Sequence, residues 1–192
     1  MKIAKGESRL VVILPELGIV IKFSIIHLVI GLRVFCDDLS RKGNRLHDEL
    51  FRYTIEMYGS LKRLLFKGIV DNWREWRFYQ RTRHPFCQPT YLSLFGLLNI
   101  QRFARPCTIQ EIDLWCQLHE LTKGAVFKDS HHFTNPDNFC LNGEGLRILD
   151  YGGLKTQEVV REFGDEILQH FNPNYSWEER KKELKAKREA SS

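Results

Sequence analysis

A chain of 192 residues with 43% hydrophobic and 12% aromatic side chains can bury a core of its own, which excludes a disordered chain. The net charge of +5 permits a phosphate-rich partner without selecting one. Five cysteines, an odd number with no Cys-x-x-Cys pair, argue against a disulfide framework or a zinc knuckle, so a reducing, cytoplasmic setting is expected.

The N-terminal third is very apolar between Leu10 and Phe35. Pro15, Glu16, Lys22, His27 and Arg33 break it, so no run of membrane-helix length forms, and no signal-peptide pattern is evident. Arg9–Leu14 reads as a strand, Pro15-Glu16-Leu17-Gly18 as a turn and Ile19–Phe23 as a second strand, together a hairpin. Lys22 interrupts the second strand. It is either an edge-strand lysine reaching water or a lysine that meets a phosphate. Ser24–Phe35 takes no definite assignment. From Asp37 to Phe66, apolar residues recur at three- and four-residue steps, which predicts an amphipathic helix.

Asp71 is placed to cap a further helix running to about Arg83. Glu75 lies on it beside aromatic residues. A lone helical glutamate is ordinarily solvated, and only a cationic partner would change that reading. Thr90–Phe95 and Leu97–Phe103 predict two strands around Gly96, followed by a polar connector at Gln101–Pro106. Thr108-Ile109-Gln110-Glu111 has the form of a capping box and opens a helix to about Lys123, stopped by Gly124.

A polar, turn-rich loop then runs from Asp129 to Asn138. Phe139–Leu141 and Leu146–Leu149 predict a tight hairpin through Asn142–Gly145 that delivers Asp150 at its end, before Tyr151-Gly152-Gly153. Thr156–Phe171 has the apolar stripe of a packed helix. Ser176-Trp177-Glu178-Glu179 opens a charged terminal helix whose mixed signs argue against a nucleic-acid surface.

Lys22, Glu75, Asn138 and Asp150 stand in an order that resembles the protein-kinase-like superfamily in its divergent bacterial, phage and aminoglycoside-kinase-like forms. Val20-Ile21-Lys22 resembles the strand motif whose lysine holds nucleotide phosphates. Leu149-Asp150-Tyr151-Gly152 resembles the metal-binding Asp-Phe-Gly, and Pro136-Asp137-Asn138 resembles the end of the catalytic loop, 12 positions before Asp150.

The resemblance implies an α+β, two-lobed fold. Residues 1–103 would form an N-lobe-like region with a helical insertion at about 37–70. Residues 104–175 would form a reduced C-lobe, and 176–192 a terminal helix. It also implies ATP and Mg²⁺ as cofactors. Lys22 would hold phosphates, Glu75 would orient Lys22, Asn138 and Asp150 would bind metal, and Asp129 would act on a hydroxyl acceptor.

Three features depart from the pattern. Gly6-Glu7-Ser8-Arg9 has one glycine where a Gly-rich loop is usual. Phe133 occupies the position five before Asn138, so the base falls to Asp129, nine before it. No large helical C-lobe follows Asp150. The alternatives are a pseudokinase that binds without transferring, and an unrelated α+β protein whose basic surface meets nucleic acid. Other local readings stay open as well. Asp150 or Asp129 can serve as a turn residue. His131-His132 lacks a properly spaced third zinc ligand, His119 reads as a core histidine, and Cys140 reads as inert core.

Overall fold

A computed structural model describes residues 1–6, 8–25, 61–143 and 145–190. The fold is α+β. Strands β1 (Lys2–Lys5), β2 (Arg9–Leu14), β3 (Ile19–Ser24), β4 (Thr90–Leu94) and β5 (Leu98–Arg102) make an antiparallel sheet in the order β1-β2-β3-β5-β4. The hairpin β2–β3 turns through a 3-10 turn at Pro15–Leu17 with Gly18 left-handed, where glycine carries no Cβ penalty. β1 escaped the sequence reading because Lys-Ile-Ala-Lys is exposed along its whole length and shows no buried alternation.

Helix α1 (Leu61–Thr82) lies across one face of this sheet. Its buried stripe is Gly68, Asn72, Glu75 and Phe78, stepping by four and three residues as helical geometry requires. Gly68 lets the helix approach the start of β2 and the end of β3, since a Cβ there would strike the Ser8 carbonyl and crowd Ser24. Asp71 is therefore not a cap. It lies in the interior of a helix that starts at least ten residues earlier, because the apolar and charged periodicity runs through it. The helix expected over 37–66 lies outside the described residues, save that Leu61–Phe66 belong to α1.

The apolar core is built mostly from the second half of the chain, joined by Phe78, Phe86 and Cys87. Helix α2 (Glu111–Leu121), the short α3 (Ser130–Phe133), the hairpin β6 (Phe139–Asn142) and β7 (Gly145–Ile148), and helix α4 (Leu154–His170) gather around Phe86, Leu114, Phe133, Phe139, Ile148 and Val160, all fully buried. The capping box expected at Thr108 does not form. Gln110 is the N-cap, in extended conformation, with no side-chain cap bond.

A 3-10 turn, Ala125–Asp129, follows α2, and the stretch expected as an open loop from Asp129 is wound at its start into α3. Buried Val126 and Phe133 hold both on the core. α4 starts at Leu154, two residues earlier than the pattern suggested. The final helix α5 (Trp177–Ala190) is exposed past Arg180, and Trp177 N–H donates to Asp113 Oδ1 at its start.

The β6–β7 hairpin docks edge-on to the segment after α1. Ile148 N–H donates to the Phe86 carbonyl and Gln88 N–H to the Ile148 carbonyl. This seam carries the end of β7, and so Leu149 and Asp150, under the sheet.

Candidate functional site

In an antiparallel ladder, paired residues point to the same face. Lys22 pairs with Val11 on β2 and Asn99 on β5, Ser24 with Arg9, and Val20 with Gln101, which also pairs with Thr90 on β4. Arg9, Lys22, Asn99, Gln101 and Thr90 thus share one sheet face, the face toward α1, and all five are buried. Lys22 is in a central strand, flanked by β2 and β5, so the edge-strand reading of it does not hold. Its partner is the carboxylate the sequence singled out. Lys22 Nζ lies 2.9 Å from Glu75 Oε1 and 3.0 Å from Oε2, and donates to the Leu149 carbonyl at 2.7 Å. Glu75 is fully buried, and so is not the solvated glutamate that helix position alone would suggest.

Arg9 adds a second cation. Its guanidinium donates from one terminal nitrogen to Glu75 Oε2 at 3.0 Å and from the other to Asp150 Oδ1 at 3.0 Å. It bridges the α1 carboxylate and the carboxylate that follows the β6–β7 hairpin, with only 9% of its side chain exposed. Burial alone would raise the Asp150 carboxyl, but Arg9, Lys22 and His132 together hold it well below the usual carboxylate range. The same carboxylates push the Arg9 guanidinium higher still, against the opposing effect of burial. Asp71 stands on the adjoining helical turn. Burial raises its carboxyl, and Arg9 partly offsets this.

Asp150 keeps 31% of its side chain exposed and faces a second group of residues. His132 Nε2 lies 4.0 Å from Asp150 Oδ2, and His132 Nδ1 lies 2.9 Å from Asp129 Oδ1. The other Asp129 oxygen accepts from the Thr156 hydroxyl. Burial disfavours charge on both members of the Asp129–His132 pair. Their mutual attraction wins, lowering the Asp129 carboxyl and, with help from Asp150, raising the His132 imidazole. Asn138 joins the same region through its backbone and side chain. Its carbonyl accepts from Leu149 N–H at 2.7 Å, and its amide nitrogen donates to the His132 carbonyl at 3.0 Å.

The structure brings Lys22 and Glu75 into direct contact and joins Asp150 to Glu75 through Arg9. It sets Asn138 beside the strand end that precedes Asp150, and links Asp129 to Asp150 through His132. Tyr151, next to Asp150, is fully buried. Its hydroxyl meets Thr90 Oγ1 and the Gln88 carbonyl, each at 2.7 Å, which fixes the strand end from below. Gly152 gives the close approach on the other side, since a Cβ would sit 2.7 Å from the Asp71 carbonyl and 3.1 Å from Arg9.

The sequence reading missed Arg9, His132 and Thr156 as members of this cluster. Arg9 had a usable signal: Lys22 faces Val11 across the hairpin, and two positions back along β2 from Val11 is Arg9. His132 had a weaker one, as the third residue after Asp129 in what proves to be a short helical turn. Thr156 lies 27 positions from Asp129, and nothing local points to it.

The donor set does not fit a divalent ion on Asp150 as arranged. Magnesium prefers several oxygen ligands at close range. Asp150 Oδ1 is already paired with a guanidinium, which leaves Asp150 Oδ2 and the Asn138 side-chain oxygen as the oxygens such an ion would have here. At an effective dielectric of 20, unit charges 4 Å apart interact by roughly 4 kcal/mol, and a divalent ion beside Arg9 would meet about twice that as repulsion. Among the described residues, no group of three or more His, Cys, Asp or Glu side chains is arranged to hold a metal, and the zinc reading of His131-His132 gains no third ligand there. Among them, too, no helix is long and apolar enough to cross a membrane. Comparison with protein-family models, curated proteins and solved structures returns no match.

Proposed function

We propose that this chain is a kinase-like nucleotide-binding module that acts by binding, as a pseudokinase, with the Lys22–Glu75 pair as its phosphate anchor. The observation that carries the reading is that pair itself. A lysine from a central strand meets a fully buried helical glutamate at 2.9 Å, directly under the strand end that delivers Asp150. The succession of elements supports it. Among the described residues, a strand pair with the lysine, a helix with the glutamate, two more strands, a helix and a hairpin come in the order the resemblance implies, with short helical turns in place of the loop.

An ammonium held by a buried carboxylate is preorganised for an anion, because its position is fixed before the ligand arrives. Binding rather than transfer is favoured by the state of the two carboxylates a transferase would use. Asp150 is tied to Arg9, and both oxygens of Asp129 are taken by His132 and Thr156. ATP is the proposed ligand. Magnesium has no step in this reading.

Phosphoryl transfer to a hydroxyl acceptor is the second reading. Its support is the His132 ring, which sets Asp129 one side chain away from Asp150. One set of measurements separates the two. ATP should raise the melting temperature of the wild type, and Lys22→Ala should abolish that rise. A rise that survives Lys22→Ala removes the phosphate anchor. Labelling from γ-³²P-ATP should stay at the level of Asp150→Ala. Labelling well above that level establishes transfer.

A further inference from the structure

We infer that Arg9 is a resident cation standing in the place of a divalent metal at Asp150, so that the site takes a metal-free nucleotide phosphate rather than its magnesium complex. The identity of the ligand rests on the nucleotide reading above. The exclusion of metal does not.

Arg9 is not a mobile surface residue. It opens β2, pairs with Ser24 in the ladder, and its carbonyl accepts from Gly6 N–H at 2.9 Å. From that fixed backbone its side chain crosses to two carboxylates that come from different parts of the fold. A guanidinium has five N–H donors in a planar fork, and these two bonds use two of them. The rest are of the type that phosphate oxygens accept.

Charge balance points the same way. Arg9 and Lys22 supply two positive charges, and Glu75 and Asp150 supply two negative ones. These four groups balance with no metal present, and Asp71 adds a further carboxylate near Arg9. While Arg9 stays, a divalent ion on Asp150 would have to displace or sit beside the guanidinium that holds Oδ1, whereas a phosphate oxygen would meet an N–H donor there. The Asp150 carboxylate, which elsewhere in such an arrangement would hold the metal, here holds the arginine. Gly152 lets the backbone after Asp150 pack closely against Arg9, since a Cβ there would come within 3.1 Å of the guanidinium.

Mn²⁺, read by electron paramagnetic resonance, serves as the metal probe. The wild type should show no Mn²⁺ site that depends on Asp150. Arg9→Gln should gain one, and Asp150→Asn in the Arg9→Gln background should lose it. Wild-type Mn²⁺ binding that Asp150→Asn removes overturns the inference. So does a folded Arg9→Gln protein, checked by circular dichroism, that gains no site.

Isothermal titration with ATP gives the second readout, and needs no variant for its first half. Wild-type affinity in EDTA should match that in Mg²⁺, and Arg9→Gln should weaken binding in EDTA by about tenfold or more. Wild-type binding that requires Mg²⁺ also overturns the inference. If ATP binds under neither condition, the nucleotide reading falls, and the Mn²⁺ result still decides the role of Arg9.

Discussion

Glu75 carries the most consequence of any single side chain in the protein. It accepts from both buried cations, and removing it would leave Lys22 and Arg9 facing each other with one carboxylate fewer. Breaking a buried pair by deleting one partner costs about 3–5 kcal/mol, because the stranded charge keeps its desolvation penalty. Glu75→Ala is expected to lose stability on that scale in urea titration. Lys22→Met, which replaces the ammonium with a neutral side chain of similar length, leaves Glu75 and Asp150 sharing Arg9 alone and should also destabilise. No loss in either variant would mean that packing rather than charge holds the cluster.

His132 gives the residue scale a pH dependence. Its imidazole is raised from 6.5 by Asp129 and Asp150 against the effect of burial. A base whose folded pKa is raised stabilises fully below its unfolded value and loses that contribution as pH rises through the folded value. The Asp129 and Asp150 carboxyls are depressed from 3.8, so their contribution is present above that value and fades as pH falls below it. The stability gap between wild type and His132→Asn should therefore narrow as pH rises from about 6 to about 9, read from denaturant midpoints. A gap that stays constant would show that His132 is neutral throughout.

At the scale of elements, α1 is positioned by contacts that tolerate little extra volume. Its buried stripe carries two polar side chains, Asn72 and Glu75, and Asn72 Nδ2 donates to the Lys22 carbonyl and the Gly96 carbonyl at 3.1 Å each, stitching the helix to β3 and to the β4–β5 turn. Gly68 brings the helix backbone against Ser8, just before β2, and Ser24 at the end of β3. Helix propensity favours Gly68→Ala by about 0.8–1 kcal/mol, yet overpacking costs about 1–3 kcal/mol, so the net change should be destabilising. If Gly68→Ala instead raises the melting temperature, the helix has room to move off the sheet. That outcome would also loosen the placement of Glu75.

At the scale of the whole molecule, the polar cluster joins the first half of the chain to the second. Arg9 reaches Asp150 across 141 positions, Lys22 reaches the Leu149 carbonyl across 127, and Gln101 reaches the same carbonyl across 48. The sheet and the α-helical core are thereby coupled through Leu149 and Asp150. α5 stands outside this coupling, with exposed residues and surface pairs such as Lys185–Glu189. Surface pairs of that kind contribute about 0–1 kcal/mol. Truncation after Arg180 should leave the melting temperature nearly unchanged. A large drop would assign α5 a packing role beyond the Trp177–Asp113 bond.

The sequence by itself determined three hairpins and the order of the polar residues, though not β1. Period-2 apolar runs around Pro15-Gly18 and Gly96, and the tight turn after Asn142, are local signals, and the hairpins they predicted are present. It also picked out Lys22 as a charge inside an apolar strand that needs water or a partner, while Glu75 read as an ordinary solvated glutamate unless a cation met it. Which partner was a tertiary decision. Lys22 looked like an edge residue until β5 returned to cover its far side, and a pairing between non-consecutive strands leaves no trace in the residues beside it.

Arg9 shows the limit most clearly. Its face follows from counting by two along β2, but its two carboxylates come from α1 and from beyond the β6–β7 hairpin, and only the closed fold brings them within 3.0 Å of one guanidinium. A charge announces that it needs compensation through its own chemistry. What compensates it is settled by distance, and distance across 66 or 141 positions exists only after the chain has packed.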